Sequence, residues 1–173
     1  MLWLRRVAKL EPELLTGLAQ LLIDSVAGGA SVGFLPPLSM STATRYWESI
    51  FASLGPGLIL WIAEQDDRIV GTVQLAPVLK ENGRHRAEVQ KLLVHIAYRG
   101  QGIASQLMRE LETVARRDGR TLLVLDTLTD SAAEKVYQHL GWTRQGEIPN
   151  YARIEDGTLH ATTIYYKILP PEV

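Results

Sequence analysis

The sequence predicts a mixed α/β fold in one domain over residues 1–173, and three observations carry that prediction. The chain has 173 residues, 46% hydrophobic and 21% charged, which suits a folded chain with room for a substantial core. Its apolar segments alternate between strand-like and helix-like periods in the order β-α-α-β-β-β-α-β-α-β-β. At Val94–Met108, "VHIAYRGQGIASQLM", an apolar strand passes through a glycine-bearing turn directly into an amphipathic helix.

Each element has its own signal. Leu2–Ala8 reads as a first strand. Pro12 sits where the first turn of a helix tolerates it, and Leu14, Leu15, Leu18, Leu21, Leu22 and Val26 recur at helical spacing before Gly28 and Gly29. The stretch "GGASVGFLPPL" is a loop by its Gly and Pro content. Ser41 is the expected cap of a second helix carrying Tyr46, Trp47, Ile50, Phe51 and Leu54, all on a core-like face. Residues 58–64 and 69–78 form a predicted hairpin about the polar turn "QDDR", and "KENGRHR" is another turn. Strand 87–95, helix 101–117 and strand 122–127 should make a right-handed parallel crossover. A short helix over 130–140 ends at Gly141, and two strands near 142–148 and 159–169 complete the chain.

Composition narrows the function. With 18 Lys+Arg against 19 Asp+Glu, the net charge of -1 argues against a nucleic-acid binder. Cysteine is absent, which removes disulfides, thiolate metal sites and cysteine nucleophiles. The four histidines lack ligand spacing, so no metal site is expected. Ser31 has no nucleophile elbow around it. Charged residues from Arg5 onward prevent a signal-peptide core, and Asp24 interrupts the most apolar early segment. The expectation is a cytoplasmic protein that neither enters a membrane nor binds nucleic acid, with a homodimer as one possible assembly.

The turn at residues 99–102 bears on chemistry. A helix start exposes unpaired N–H groups and the positive end of the dipole, and glycine lets an anion approach them. Neither a P-loop nor a dinucleotide fingerprint fits, because no Gly-Lys-Ser/Thr follows and Gln106 stands where a third glycine belongs. Glycines alone leave a tight turn and a phosphate cradle equally open.

The surroundings add to this. "AEVQKLLVHIAY" followed by Arg99-x-x-Gly102-x-Ala104 resembles motif A of the GNAT superfamily of acetyl-CoA-dependent N-acetyltransferases. "DSAAEKVYQHLGW" resembles a second segment of that family, with Asp130 where Asn is usual and Trp142 where Phe is usual. "GGASVGF", "RAEVQKL" and "NYARIEDGTLHATTIYYK" further resemble its tabtoxin-resistance branch, whose acceptor is the amine of a β-lactam amino acid.

The resemblance implies a GNAT-like mixed sheet flanked by helices, and acetyl-CoA as donor with no metal. It implies a coenzyme site made by the backbone of Arg99, Gly100, Gln101, Gly102, Ile103, Ala104 and Ser105, by strand residues Leu92, Leu93 and Val94, and by Asp130, Ala133 and Tyr137. The Leu92 N–H is the expected polariser of the thioester carbonyl. Glu88 matches a family glutamate used as general base, and Asp126, ending an apolar strand, is the second candidate. The competing reading of Glu88 is a surface carboxylate paired with Arg86 or Lys91. Tyr137 matches a tyrosine near the coenzyme sulfur, where a phenol can donate a proton; the alternative is packing on the sheet. Ser31, Phe34, Asn150 and Tyr151 are candidate walls for a small-molecule amine. A non-catalytic acyl-CoA-binding module and a protein N-terminal acetyltransferase remain the other readings.

Overall fold

The computed structural model describes residues 1–170. Seven strands and four α-helices follow in the predicted order. These are β1 (Leu2–Val7), α1 (Pro12–Ala27), α2 (Met40–Ser53), β2 (Ile59–Gln65), β3 (Arg68–Pro77), β4 (Arg86–Val94), α3 (Ile103–Arg117), β5 (Leu122–Leu128), α4 (Ala132–His139), β6 (Thr143–Arg153) and β7 (Leu159–Ile168). The strands form one sheet in the order β1-β2-β3-β4-β5-β7-β6. All neighbours are antiparallel except β4 and β5, the parallel pair that the crossover through α3 requires.

Two hydrophobic layers sandwich the sheet. On one face α1 and α2 bury Leu14, Leu18, Leu22, Trp47 and Phe51 against Leu60 and Ile62. On the other, Ile103, Leu107, Met108 and Leu111 of α3 pack on Val70, Val73, Leu75 and Leu123. Each fully buried Leu or Ile contributes about 1.5–3 kcal/mol relative to exposure. Glycine at position 71 lets α3 approach. A Cβ there would lie 3.1 Å from Ile103 Cγ2, Leu107 Cδ1 and the Leu93 carbonyl oxygen.

Several boundaries differ from expectation. Ser39, not Ser41, caps α2, its Oγ accepting the Thr42 N–H at 3.1 Å. The helix α3 begins at Ile103 rather than Gln101, because Gly102 holds the left-handed conformation at the cap. Likewise α4 starts at Ala132, since Asp130 has φ 63° and lies outside the helix. The last hairpin is longer than predicted, with β6 reaching Arg153. The turn "QDDR" behaves as a hairpin turn, with both Asp66 and Asp67 at positive φ.

Candidate active site

The site begins where β4 and β5 stop pairing. Their matched residues are Arg86–Leu122, Ala87–Leu123 and Glu88–Val124, and β4 then runs on to Val94 with no strand partner on that side. A second irregularity falls on the same strand. In the register with β3, Leu93 faces Thr72 and Gln90 faces Gln74, so Lys91 and Leu92 together oppose Val73. This is a β-bulge, with Lys91 at φ 50° and the Thr72 hydroxyl donating to the Lys91 carbonyl at 3.0 Å. The bulge reverses side-chain alternation. Ala87 and Val89 belong to the α3-facing core, Leu92 and Val94 pack against that same core, and Leu93 turns to the α1/α2 side.

A cavity of about 580 Å³ occupies the gap, a size typical of small-molecule sites. Its floor is Glu88 to Leu92 of β4 and Asp126 to Leu128 of β5. The loop Gly29–Leu35 forms one wall, and Tyr151, Ala152 and Arg153 of β6 with Thr162 of β7 form another. Ser131, Ala133 and Tyr137 close the side toward α4. Glu88, Asp126, Tyr137, Leu92, Ala133, Ser31, Phe34 and Tyr151 thus converge on one space. Asn150 and Asp130 are not among its lining residues. Both adopt positive φ instead, Asn150 within the irregular stretch of β6 and Asp130 before α4 with its N–H on Glu134 at 2.8 Å. Leu93 is buried in the α1/α2 core, so only its backbone can serve a ligand.

The carboxylates differ in their surroundings. Glu88 Oε1 accepts from Gln90 Nε2 at 3.0 Å; neither Arg86 nor Lys91 pairs with it among the described residues. Asp126 is exposed to the cavity rather than buried among the apolar residues of its strand, because its side chain emerges on the open face. Its Oδ2 lies 2.8 Å from the Thr162 hydroxyl, which is also 2.9 Å from the Thr127 carbonyl and can donate to one of them. Tyr137 is buried against Trp142 and Tyr165, with ring centroids 6.0 and 5.7 Å away. Burial, reinforced by the Asp126 charge, pushes its phenol above the ordinary tyrosine value. The hydroxyl therefore keeps its proton at neutral pH. Trp142 is held from beneath, its indole N–H donating to the buried Glu112 at 3.1 Å, while Lys167 pairs with that carboxylate at 2.7 Å.

The turn after β4 lies outside this cavity but is continuous with the free edge of the strand. Gly100 and Gly102 have φ of 75° and 77°, and a Cβ at either would meet nothing within 4 Å. The cap residue Gly102 has no side chain to satisfy the first helical N–H groups. From Gly100 through Ser105, no N–H finds an acceptor among the described residues. These unpaired donors, the α3 dipole and open space fit a pyrophosphate. At Arg99 the N–H lies 3.4 Å from the Ile96 carbonyl and the side-chain Nε donates to the Val94 carbonyl at 3.1 Å, so its side chain braces the turn. Asp24 at the end of α1 braces it too, accepting the Ile96 N–H at 3.0 Å.

Sequence reading missed Lys91, Arg153 and Thr162 as lining residues. For Lys91 the available signal was the break in alternation at "VQKLLV". Among the described residues no cluster of His, Asp or Glu could hold a metal, and no helix is long and apolar enough to cross a membrane.

A strand bulged at its free edge thus runs into an uncapped glycine turn beside the cavity, and comparison with known proteins identifies the family that carries this fold. The model of the acetyltransferase (GNAT) family matches residues 24–142, and the chain belongs to that family. Among curated relatives, N-acetyltransferase 8B of Homo sapiens is 35% identical over 116 residues, covering 65% of this chain and 50% of that protein. N-acetyltransferase 8 of Rattus norvegicus is 37% identical over 102 residues, covering 58% and 45%. The chain therefore spans about half the length of these relatives. Among solved structures, an N-acetyltransferase from Staphylococcus aureus superposes with a TM-score of 0.80 at 18% identity, over 98% of this chain and 99% of that one. An acetyltransferase from Salmonella typhimurium, solved with its cofactor acetyl-CoA, gives 0.77 at 17% identity, over 100% and 96%. At such identities these structures speak for the fold.

Proposed function

We propose that the protein transfers an acetyl group from acetyl-CoA to the primary amine of a small molecule, by direct attack and without a covalent enzyme intermediate. The observation that carries this reading is the placement of two features along one strand and the turn that follows it. The free edge of β4 borders a cavity lined by Glu88, Asp126 and Tyr137, and the turn after that strand presents the unpaired N–H groups of Gly100–Ser105. When bound, acetyl-CoA supplies a thioester whose C–S bond breaks as the new C–N bond forms.

The chain's residues divide the remaining work. The turn and the first turn of α3 hold the pyrophosphate, while the bulged backbone at Leu92 to Val94 holds the arm that carries the acyl group. A protonated amine is no nucleophile, so Glu88 or Asp126, directly or through water, removes a proton from the acceptor. The phenol of Tyr137, kept protonated by burial, supplies a proton to the departing sulfur.

Walls on two sides, from the Gly29–Leu35 loop and the β6–β7 hairpin, favour a compact acceptor over a peptide end in an open groove. The two carboxylates and the tyrosine favour catalysis over acyl-CoA binding alone. A toxin or antibiotic, such as a β-lactam amino acid, is one acceptor of this kind. The test is coenzyme A release from acetyl-CoA across a panel of primary amines, including β-lactam amino acids, aminoglycosides and peptide N-termini. Turnover confined to small amines supports the reading; turnover confined to peptide ends overturns it.

A further inference from the structure

The cavity presents charges of both signs, and the cationic half has no role in the chemistry described above. Lys91 and Arg153 line the same space as Glu88 and Asp126. Lys91 is the informative one. It occupies the bulge at φ 50°, a backbone conformation that a lysine adopts at a cost, and the bulge directs its side chain toward the α1/α2 side of the cavity. Its Nζ lies 5.8 Å from the centroid of the Tyr46 ring, and Tyr46 is itself fixed by Gln74 Nε2 at 3.1 Å and by the edge of Phe34 at 5.4 Å. The ammonium makes no hydrogen bond or ion pair among the described residues.

A half-buried cation resting on an aromatic face, with its hydrogen-bonding valences unused, is prepared for an anion. Burial holds its proton less tightly than an ordinary lysine, while Asp126 and Glu88 act in the opposite sense and sustain the charge. The two carboxylates have their own partners in Gln90 and Thr162, so neither neutralises Lys91 by contact. Arg153, whose Nη1 donates to the Gly157 carbonyl at 2.8 Å, adds a second positive charge from the hairpin wall.

We propose that Lys91 determines acceptor specificity by binding a carboxylate of the acceptor, so that the preferred substrates are small amino acids or other amino-carboxylates. The juxtaposition is the argument: carboxylates for the amine, and an unpaired ammonium in the same cavity for the acid group. This rests on the reading of the cavity as the acceptor site. A charge-assisted contact of this type contributes about 1.5–3 kcal/mol, which corresponds to about 10- to 100-fold in kcat/KM.

The experiment is coenzyme A release with three matched sets of probes: the protein L-amino acids, their carboxamides, and the carboxyl-free amines of the same side chains. Each set is run with the wild type, Lys91→Met and Lys91→Arg, and acetyl-CoA binding is measured calorimetrically for all three. The wild type should prefer the carboxylate members by about 10-fold or more. Lys91→Met should lose that preference while still binding acetyl-CoA and turning over the neutral amines, and Lys91→Arg should restore part of it. Equal rates for acids, amides and amines in the wild type, or a Lys91→Met loss uniform across all three sets, overturn the proposal and leave amine acetylation standing. Acetyl-CoA binding without turnover of any amine overturns the enzymatic reading beneath it.

Discussion

Glu88 of β4 and Val124 of β5 form the last matched pair before the two strands part, so one candidate catalytic carboxylate stands on that rung and the other just beyond it. Glu88 belongs to the final rung itself, and Asp126 lies two residues beyond its partner on the opposite strand. Both therefore border the gap instead of closing it. Parallel strands that separate at one end expose backbone on each edge, and here the bulge at Lys91 adds a re-aimed segment to the exposed edge. The fold thus sets a free strand edge beside a cavity lined by charges of both signs.

If either carboxylate is the base, its amide variant should lose turnover and change the dependence of turnover on pH. Glu88→Gln or Asp126→Asn should lower kcat by about 10²- to 10⁴-fold, with the acidic limb of the pH–rate profile altered in the variant that lacks the base. Steady-state kinetics across the neutral range checks this. Profiles that overlay the wild type in both variants would mean that neither group takes the proton.

For Tyr137 the expected signature is a split between turnover and affinity. Tyr137→Phe should lower kcat while leaving acetyl-CoA affinity near its wild-type value, because the hydroxyl is the only group removed. Since burial raises the phenol's pKa, ionisation of Tyr137 should not limit the wild-type rate below about pH 10. A wild-type basic limb at lower pH that vanishes in the Phe variant would contradict the assignment, as would an unchanged rate.

Position 71 links packing to the coenzyme turn. Gly71→Ala places a methyl 3.1 Å from Ile103, Leu107 and the Leu93 carbonyl at once, and the carbonyl belongs to backbone that cannot swing aside. Overpacking of this kind costs about 1–3 kcal/mol. Because Ile103 opens α3, the shift should also weaken acetyl-CoA binding. Denaturant unfolding together with calorimetry tests both effects, and an unperturbed variant would show that α3 is not held by this approach.

Much of this arrangement is written in local pattern. The leucines of α1, the apolar face of α3 and the paired aspartates of the β2–β3 turn announce themselves by spacing. The uncapped turn is legible for the same reason, as Gly100 and Gly102 are the residues that left-handed backbone favours. What local pattern hides is register. "VQKLLV" breaks the alternation without saying how the strand pairs, and only the register with β3 shows that Lys91 and Leu92 share one opposite residue. The Asp126–Thr162 contact joins residues 36 apart in sequence, and the choice of Ser39 over Ser41 as a cap depends on where the preceding loop delivers the chain. The bond from Arg99 Nε to the Val94 carbonyl is likewise visible only in side-chain geometry.

On the proposed reading, the N–H groups from Gly100 to Ser105 hold the pyrophosphate of acetyl-CoA. Gly102 offers the most direct test, because its φ of 77° disfavours any side chain and the space before it is open. In Gly102→Glu the new carboxylate would occupy the anion site with the wrong charge. Titration calorimetry with acetyl-CoA should show saturable binding to the wild type and none to the variant, with circular dichroism confirming that both are folded. Equal binding by a folded Gly102→Glu protein would contradict the account.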